Sequence, residues 1–368
     1  HLCDRRQRQM CIRDSTYIEK GMLEDLSGVL KDTDILSNIK DAYTKEDGSI
    51  YTMPVKFGIP MIEGNKDIIA GITDLTTEAD AAESQKDSYG KLQFFSDFSI
   101  APSYLIQGTI DNSIPAWMNE DGTLNENAVK EYLEQVNRIW QTQKNAIEET
   151  KKAYQMGDDW ADSDHSGYMD ISGSVTSLLA KVDTVAAGGL LSPEGLVSLD
   201  SARKVDPDLD YKLLNGQSEN CFYPRSAVGV SAKASEKEAA EKFVKFLFEE
   251  ESQRASNTEG LAVNSKVYED MAYWKMGKSS GDTIGSIGAS YDTGDGNIKQ
   301  IEMDEIIPED EAIQNIMDLG KTLTVPAKSN QIIRNAVTES GEKYLNGETG
   351  LDDAVKEIMQ EVNLYLSE

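Results

Sequence analysis

The sequence predicts an α/β fold, because strand-like segments alternate with amphipathic helices along its 368 residues. Three stretches carry this prediction. Residues 50–55 read as a strand after an Asp47-Gly48 turn, and residues 211–231 read as two strands separated by turns. Residues 125–152 place apolar side chains at helical spacing. A chain of this length is too long for one ordinary domain and suits two.

In the first half of the chain, turn and capping residues define the other elements. Residues 16–30 predict a helix that runs into a loop, with Gly21 as its stop, and residues 65–75 predict a short helix. Pro54 and Pro60 interrupt the strand near residue 50, so we do not expect a central ladder strand throughout. Asn125 can cap the long helix. Its apolar face is formed by Val129, Leu133, Val136 and Trp140.

The second half begins with a helix over residues 235–251, which Ser235 can cap. Residues 276–295 are rich in Gly and Ser, which predicts a long mobile loop or the edge of a linker. Residues 308–323, 330–346 and 351–366 read as three further helices. The predicted core face of the first of these four helices consists of Ala239, Phe243, Phe246 and Leu247, and that of the last consists of Ala354, Ile358, Val362 and Tyr365.

Composition excludes several classes of function. The formal net charge is −29, from 36 basic and 65 acidic residues, so phosphate backbones and anionic lipids are repelled. No GxGxxG or Walker motif occurs, which leaves nucleotide cofactors without support. No run of 18 apolar residues occurs, so the sequence predicts no membrane-spanning helix. His1 and His165 are the two histidines, and a catalytic triad or a multi-histidine zinc site would have to use one of them.

The first fifteen residues differ from the rest of the chain. They hold four of the nine arginines and two of the three cysteines. They have no apolar core like that of a signal peptide, and Cys3 and Cys11 lack the spacing of a metal or disulfide motif. The stretch resembles translated sequencing-adapter read-through, with a genuine basic arm as the alternative. We therefore expect it to lie outside the fold and the native N-terminus to be missing.

Candidate metal and nucleophile positions are few. Asp162, Asp164 and Asp170 resemble the start of a calcium-binding loop, but Gly173 stands where that loop needs a bidentate glutamate. We therefore predict a solvated acidic loop there, with a calcium site as the weaker alternative, and no cofactor. Cys221 lies in an apolar strand-like run, which predicts a small buried thiol.

Aromatic residues are concentrated in predicted loops and at strand ends. Ring faces at such positions suit a neutral polyhydroxylated ligand, because the C–H face of a sugar packs on a ring while its hydroxyls bond polar neighbours. Arg225 is a scarce, fork-shaped donor between two predicted strands. Core packing of the rings and a structural ion pair of Arg225 are the alternatives. The candidate ligand-binding residues are Tyr51, Phe57, Phe98, Tyr104, Trp160, Phe222, Tyr223 and Arg225.

Several segments together resemble the family 1 extracellular solute-binding proteins of carbohydrate-type ABC importers, which are maltose-binding-protein-like. The strongest match is in residues 227–247, AVGVSAKASEKEAAEKFVKFL. The others occur in the family's order: YIEKGMLEDL at 17–26, DGSIYTMP at 47–54, GLAVN at 260–264, YLNGE at 344–348 and the C-terminal helix of 352–368. At 64–68 the chain has GNKDI, without the aromatic residue that the family places there.

The resemblance implies a two-lobe, periplasmic-binding-protein-like clamp of type II, in which the chain crosses between the lobes more than once. Lobe 1 would comprise residues 16–57 and 228–301 and be incomplete. Lobe 2 would comprise residues 58–227 and 302–368. Residues 1–15 would be a non-native leader. The missing front would hold a signal sequence, a lipidated cysteine and the first βαβ units of lobe 1.

The function implied is that of an extracellular or periplasmic receptor, held as a lipoprotein, that captures a saccharide in the cleft between the lobes. Its partners would be the ligand and the permease subunits of an ABC transporter, with the protein itself a monomer and not an enzyme. Two alternatives of another class remain open. A polysaccharide-active enzyme would need a fixed pair of carboxyl groups, and a non-catalytic surface glycan-binding protein would have no ligand-closed cleft.

Overall fold

A computed structural model describes residues 17–18, 20–85, 93–95, 102–119, 123–153, 175–181, 183–255, 260–292, 298–328 and 330–366. Its helices are α1 (Ser37–Tyr43), α2 (Lys66–Ile69), α3 (Leu75–Gln85), α4 (Pro102–Ile110), α5 (Ile114–Trp117), α6 (Glu126–Ala153), α7 (Val175–Ala180), α8 (Pro193–Val205), α9 (Lys237–Leu247), α10 (Glu250–Arg254), α11 (Ser265–Tyr268), α12 (Met271–Trp274), α13 (Asp310–Thr322), α14 (Gln331–Leu345) and α15 (Leu351–Leu366). Its strands are β1 (Met53–Asn65), β2 (Gln93–Phe95), β3 (Asp183–Leu191), β4 (Leu209–Leu213), β5 (Cys221–Val228), β6 (Leu261–Ala262), β7 (Thr283–Asp292), β8 (Ile298–Ile306) and β9 (Val325–Pro326).

The strand β1 is shared by two half-sheets. Residues 53–58 of β1 pair antiparallel with β5 and, at two positions, with β6; we call these strands the first half-sheet. Residues 59–65 pair antiparallel with β3 and β4, and β2 lies parallel to β3; we call these strands the second half-sheet. Pro54 pairs with a residue of β5 on one side of β1. Pro60 pairs with a residue of β3 on one side, and on the other side the pairing with β4 begins only at the next residue, Met61. Each proline therefore stands where a second ladder partner is not required.

Several predicted helices are confirmed. In α6 the face of Val129, Leu133, Val136 and Trp140 is buried, and the Asn125 side chain accepts backbone hydrogen bonds at the N-terminus. The three C-terminal helices occur as α13, α14 and α15. Within the described residues, no helix has both the length and the apolar character to cross a bilayer.

The predicted cap of α9 is wrong, and of its predicted core face Leu247 alone packs against the core among the described residues. The helix begins after Glu236, which makes no side-chain cap, rather than at Ser235. Val244 is its buried residue, whereas Phe243 and Phe246 are 58% and 48% exposed. The apolar residues of α9 form two overlapping stripes, and the stripe of Ala240, Val244 and Leu247 faces the core.

Two further predictions are corrected. Residues 20–32 form turns and a bridge of Leu23 to Ser231 instead of the predicted helix, since their backbone groups bond to neighbouring segments, as Leu26 does to Ile50. Residues 283–292, predicted as part of a mobile loop, form β7 and pair antiparallel with β8. The hairpin is held because Met303 of β8 packs into a core, so tertiary packing outweighs the loop tendency of Gly and Ser.

Buried side chains form two hydrophobic cores, and adjacent residues of β1 belong to different ones. Met61 joins the first core, which surrounds the first half-sheet and one face of the second, and Ile62 joins the second core with α3, α4, α6, α14 and α15. The first core also includes buried residues from 175–209 and 303–323, which the predicted boundaries assign to lobe 2. The lobe boundaries themselves stay a prediction.

Candidate functional site

The antiparallel strands β1 and β5 meet at a buried pair of phenylalanines; we call this place the crossing, because the predicted lobe boundaries at 57/58 and 227/228 lie on these two strands. Phe57 of β1 and Phe222 of β5 are fully buried, with ring centroids 6.2 Å apart in an edge-to-face arrangement. Tyr43 and Tyr268 extend this cluster at 6.5 Å and 5.6 Å. Edge-to-face rings pack favourably and fix the angle between the segments that carry them. In this structure Phe57 and Phe222 therefore offer no open ring face to a ligand, although both were predicted as ligand-binding residues.

Tyr223 and Arg225 follow Phe222 on the same strand. Tyr223 is 6% exposed and lies opposite Gly58 of β1, whereas Arg225 is exposed and lies opposite Lys56. In the described part of the chain, Arg225 forms no ion pair. Its stem runs beside Gly260, whose φ of +121° and close approach to the Phe57 carbonyl leave no room for a side chain. Among the described residues, the Arg225 guanidinium next to the crossing thus has no ion-pair partner.

The remaining candidates are spread around the crossing. Tyr51 is half-buried just before β1, with the Lys45 ammonium 5.4 Å from its ring centroid. Tyr104 is half-buried in the first turn of α4. Phe98 and Trp160 lie outside the described residues, as do Asp162, Asp164 and Asp170. Within the described residues, no group of three His, Cys, Asp or Glu side chains could hold a metal ion.

The far end of α4 is joined to the crossing. The Cys221 thiol lies 3.9 Å from the carbonyl of Asn112, just beyond α4, and burial raises the pKa of this thiol to about 12. Cys221 is the predicted buried thiol, and it is a poor nucleophile because it remains protonated. Tyr104 lies at the other end of the same helix, six residues from Ile110 and therefore about 9 Å along the axis. The helix that carries Tyr104 is thus joined at its far end to β5, which carries Tyr223 and Arg225.

Sequence reasoning missed the buried ion pair at this crossing. The Arg334 guanidinium near the start of α14 lies 2.9 Å from the Asp111 carboxylate, and their side chains are 18% and 7% exposed. Burial raises the pKa of Asp111 to about 6, although the charge of Arg334 acts in the opposite direction. The scarcity of arginine, which drew attention to Arg225, would also have singled out Arg334.

The β9 segment completes the crossing. Its strand pairs with Cys221 and Phe222, the Ala327 amide donates to the Phe222 carbonyl, and the Lys328 amide donates to the Asp111 carbonyl. Three separate passages of the chain, in β1, β5 and β9, therefore lie side by side, and β1 continues from them into the second half-sheet. Such an arrangement can act as a hinge, since a few backbone torsions at the ends of these elements suffice for two bodies to rotate.

Comparison with known proteins provides independent evidence about the family of this chain. Residues 14–279, well over half of the chain, match the model of a family described as bacterial extracellular solute-binding protein. No curated protein sequence matches the chain significantly.

Solved structures similar to this chain come from several bacteria. A Streptococcus pneumoniae solute-binding protein in complex with the blood group A-trisaccharide is 15% identical with a TM-score of 0.50, over 94% of this chain and 80% of its own. A Listeria monocytogenes ABC substrate-binding protein in complex with cycloalternan is 17% identical with a TM-score of 0.50, over 95% and 82%. The cyclic α-maltosyl-1,6-maltose binding protein of Arthrobacter globiformis is 14% identical with a TM-score of 0.51, over 96% and 82%. At these identities the likeness concerns the fold, a two-lobe periplasmic-binding-protein-like α/β architecture.

Proposed function

The chain belongs to the bacterial extracellular solute-binding proteins, and from this premise we propose that it captures a sugar or an oligosaccharide and delivers it to the permease of an ABC importer. The observation that carries the proposal is the continuity of β1 through both half-sheets, next to β5 and β9. Two bodies joined by short, adjacent passages of the chain can close on a ligand between them. The three compared proteins are each described with a saccharide, which supports this ligand class.

The ligand contacts that we propose come from residues around the crossing. Tyr51 and Tyr104 are half-buried, so each can keep one ring face for the C–H face of a sugar. Arg225 supplies up to five N–H donors for hydroxyl oxygens, and Tyr223 lies beside it. Phe98 and Trp160 complete the set from outside the described residues. Phe57 and Phe222 support the site by holding β1 against β5 rather than by contacting the ligand.

Closure supplies the affinity in this mechanism. Each ring and hydrogen-bonding group alone contributes little to binding, because water competes for the same hydroxyls. When the lobes close, water leaves the cleft, and the hydrogen bonds form in a medium of lower dielectric. A binding protein of this kind needs no reacting group, so we propose that the chain is a receptor and not an enzyme.

Lobe 1, built on the first half-sheet, is proposed to be incomplete in this chain. Two observations support this. Phe243 and Phe246 expose much of their rings on α9, which lies in this lobe. Among the described strands, β9 covers the second edge of β5 at Cys221 and Phe222, and none covers it from there to Val228. An apolar helix face and an edge strand are features that folded proteins normally cover.

The cellular setting follows from the family. We propose an extracellular or periplasmic location, with a lipid anchor at the native N-terminus and the monomer as the working state. The net charge of −29 suits a protein that must stay dispersed outside the cytoplasm. The same charge opposes nucleic-acid binding.

A saccharide screen tests the proposal directly. We expect one or more members of a panel of mono- and oligosaccharides to raise the melting temperature, and calorimetry to give a saturable 1:1 isotherm. Incubation with the same glycans should yield no cleaved product. A panel without any binder would contradict the saccharide proposal, whereas cleavage would favour the polysaccharide-active enzyme.

Substitution of Arg225 tests the site. Arg225→Ala should weaken saccharide binding by at least about tenfold, equivalent to roughly 1.4 kcal/mol, without lowering the melting temperature. Arg254→Ala is the matched control, because Arg254 is also exposed but is paired with Asp270 at 2.7 Å. Equal affinities of the two variants would remove Arg225 from the site.

A further inference from the structure

Arg225 differs from the other arginines that the structure describes in its lack of a carboxylate partner. Each of the others has an aspartate or glutamate oxygen within 3.3 Å of its guanidinium: Arg138, Arg203, Arg254 and Arg334. In the same part of the chain Arg225 forms no such pair, and it is exposed. Because the chain holds 65 acidic and 36 basic residues, carboxylates are plentiful, and an arginine without one is unusual.

The strand neighbours of Arg225 also supply no negative charge. Opposite charges that face each other across two strands stabilise a sheet, but the residue directly opposite Arg225 is Lys56, another cation. The Lys56 ammonium is turned away, since it donates to the Gln253 carbonyl and lies 5.8 Å from the centroid of the Tyr273 ring. The diagonal and same-strand neighbours are Pro54, Gly58, Tyr223 and Ala227, none of which is acidic.

The backbone around Arg225 holds the side chain in place. Its stem runs beside Gly260, where a Cβ atom would lie 3.6 Å from Cγ of Arg225. The next residue, Ser226, has a φ of +52°, a left-handed conformation that residues other than glycine rarely adopt. The ladder with β1 continues on both sides of Ser226, so pairing maintains the strained residue. Strain of this kind is concentrated at ligand-binding and active sites.

We propose that Arg225 binds a carboxylate of the ligand, and that the preferred saccharides therefore contain a hexuronic acid. A guanidinium can donate two parallel N–H bonds to one carboxylate, and hydrogen bonds between charged groups are about twice as strong as those between neutral ones. Its remaining N–H donors stay available for sugar hydroxyls. This inference rests on the proposed function and deepens it, because it names the ligand class of the same site.

Paired ligands test the ligand class at constant sugar and chain length. Short oligogalacturonides and their methyl esters differ in the charge of the carboxyl group, and oligosaccharides of glucuronate with their esters cover a second epimer. In calorimetry we expect the unmodified protein to bind the acid of one series at least about tenfold more tightly than its ester. Equal affinities for acid and ester in both series would overturn the proposal.

Variants of Arg225 test whether this residue recognises the carboxylate. Arg225→Gln keeps a hydrogen-bonding group without the charge and should abolish the preference for the acid over its ester. Arg225→Lys keeps the charge without the planar fork and should retain part of the preference. Arg254→Gln is the matched control, because this exposed arginine already pairs with Asp270, and it should retain the full preference. A full preference in Arg225→Gln would overturn the proposal.

Failure of this inference and failure of the proposed function give different results. Binding of neutral saccharides without binding of any uronate would overturn the acidic ligand class and leave the saccharide receptor in place. Binding of neither kind would contradict both. Because Arg225 is exposed, Arg225→Gln should melt at the temperature of the unmodified protein, so a change in its affinities would not arise from unfolding.

Discussion

Arg334 and Asp111 form an ion pair of 2.9 Å that joins the start of α14 to the end of α4, beside the crossing strands. The second oxygen of the Asp111 carboxylate is buried and has no hydrogen-bond partner within the described residues. A buried carboxylate in this position depends on its one cation, because burial penalises an uncompensated charge far more than the pair itself contributes to stability.

Removing the cation should therefore destabilise the protein. We expect Arg334→Met to lower the free energy of unfolding by about 3 kcal/mol at pH 7. The loss should be smaller at pH 5, because the raised pKa of Asp111, about 6, allows the folded protein to take up a proton there while the unfolded chain remains ionised. Urea unfolding at the two pH values measures this. Arg254→Met, at an exposed pair, should change stability by less than about 0.5 kcal/mol, and a similar loss in both variants would contradict the argument.

The buried carboxyl group of Glu78 should give the free energy of unfolding a second dependence on pH. This side chain of α3 is buried, and burial, with a smaller effect of the Asp74 charge, raises its pKa to about 8 from an ordinary value of 4.5. Since the folded state holds the proton more tightly than the unfolded chain, stability should fall as pH rises from about 4.5 to 8. Glu78→Gln should remove this fall and gain roughly 3 kcal/mol at pH 7.

The measurement for Glu78 is a series of urea unfolding curves between pH 4 and 9. The matched control is Glu131→Gln on the exposed side of α6, which should leave the pH profile of the free energy of unfolding unchanged. Parallel profiles for the unmodified protein and Glu78→Gln would refute the role of Glu78.

Gly320 should not tolerate even a methyl group. We expect Gly320→Ala to lower the free energy of unfolding by about 2 kcal/mol, since the added Cβ meets the Tyr268 hydroxyl oxygen at 2.0 Å and the Ile59 side chain at 3.2 Å. Tyr268→Phe should restore part of the loss in the double variant by removing that oxygen. Gly28→Ala, which meets no atom within 4 Å, is the control. Thermal unfolding that failed to separate the two alanine variants would show that the contact relaxes without cost.

Substitution of Phe243 and Phe246 tests whether lobe 1 is complete in this chain. In the chain as it stands, we expect Phe243→Ser with Phe246→Ser to leave the melting temperature unchanged and to reduce self-association and binding of an apolar dye, because both rings are exposed. Phe248→Ser, at a ring that is 1% exposed, should instead cost about 3 to 5 kcal/mol. A marked loss of stability in the Phe243 and Phe246 variant would mean that these rings already have a partner.

The elements that could be predicted from the sequence are those with one unambiguous local pattern. The helix α6 has a single apolar stripe and an Asn cap. The turn at Asp47-Gly48 indicated a strand after it, but β1 runs on through Pro54 and Pro60 to Asn65, because each proline needs a ladder partner on one side only. The helix α9 carries two overlapping apolar stripes, and periodicity alone does not say which of them meets the core. The hairpin β7–β8 was hidden because Gly and Ser favour loops, while the residues that hold it lie in other segments.

The candidate site was less predictable for the same reason. Phe57 and Phe222 stand at the predicted crossing, but whether a ring is covered depends on pairing between strands more than 160 residues apart in the sequence. Asp111 and Arg334 are separated by 223 positions, so no local spacing links them. The roles of Tyr51, Tyr104, Tyr223 and Arg225 stay predictions until ligand binding is measured.

The sharing of β1 between the half-sheets also determines how the protein loses its structure. Unravelling of the first half-sheet would remove residues 53–58 from their ladder with β5 and leave the second half-sheet attached to a frayed strand. Because the two ladders use consecutive stretches of one strand, loss of either ladder frees one end of β1 in the other, and we expect the two half-sheets to denature in one cooperative transition rather than in two. A ligand held by only one lobe would then raise the resistance of the whole molecule to heat and proteases.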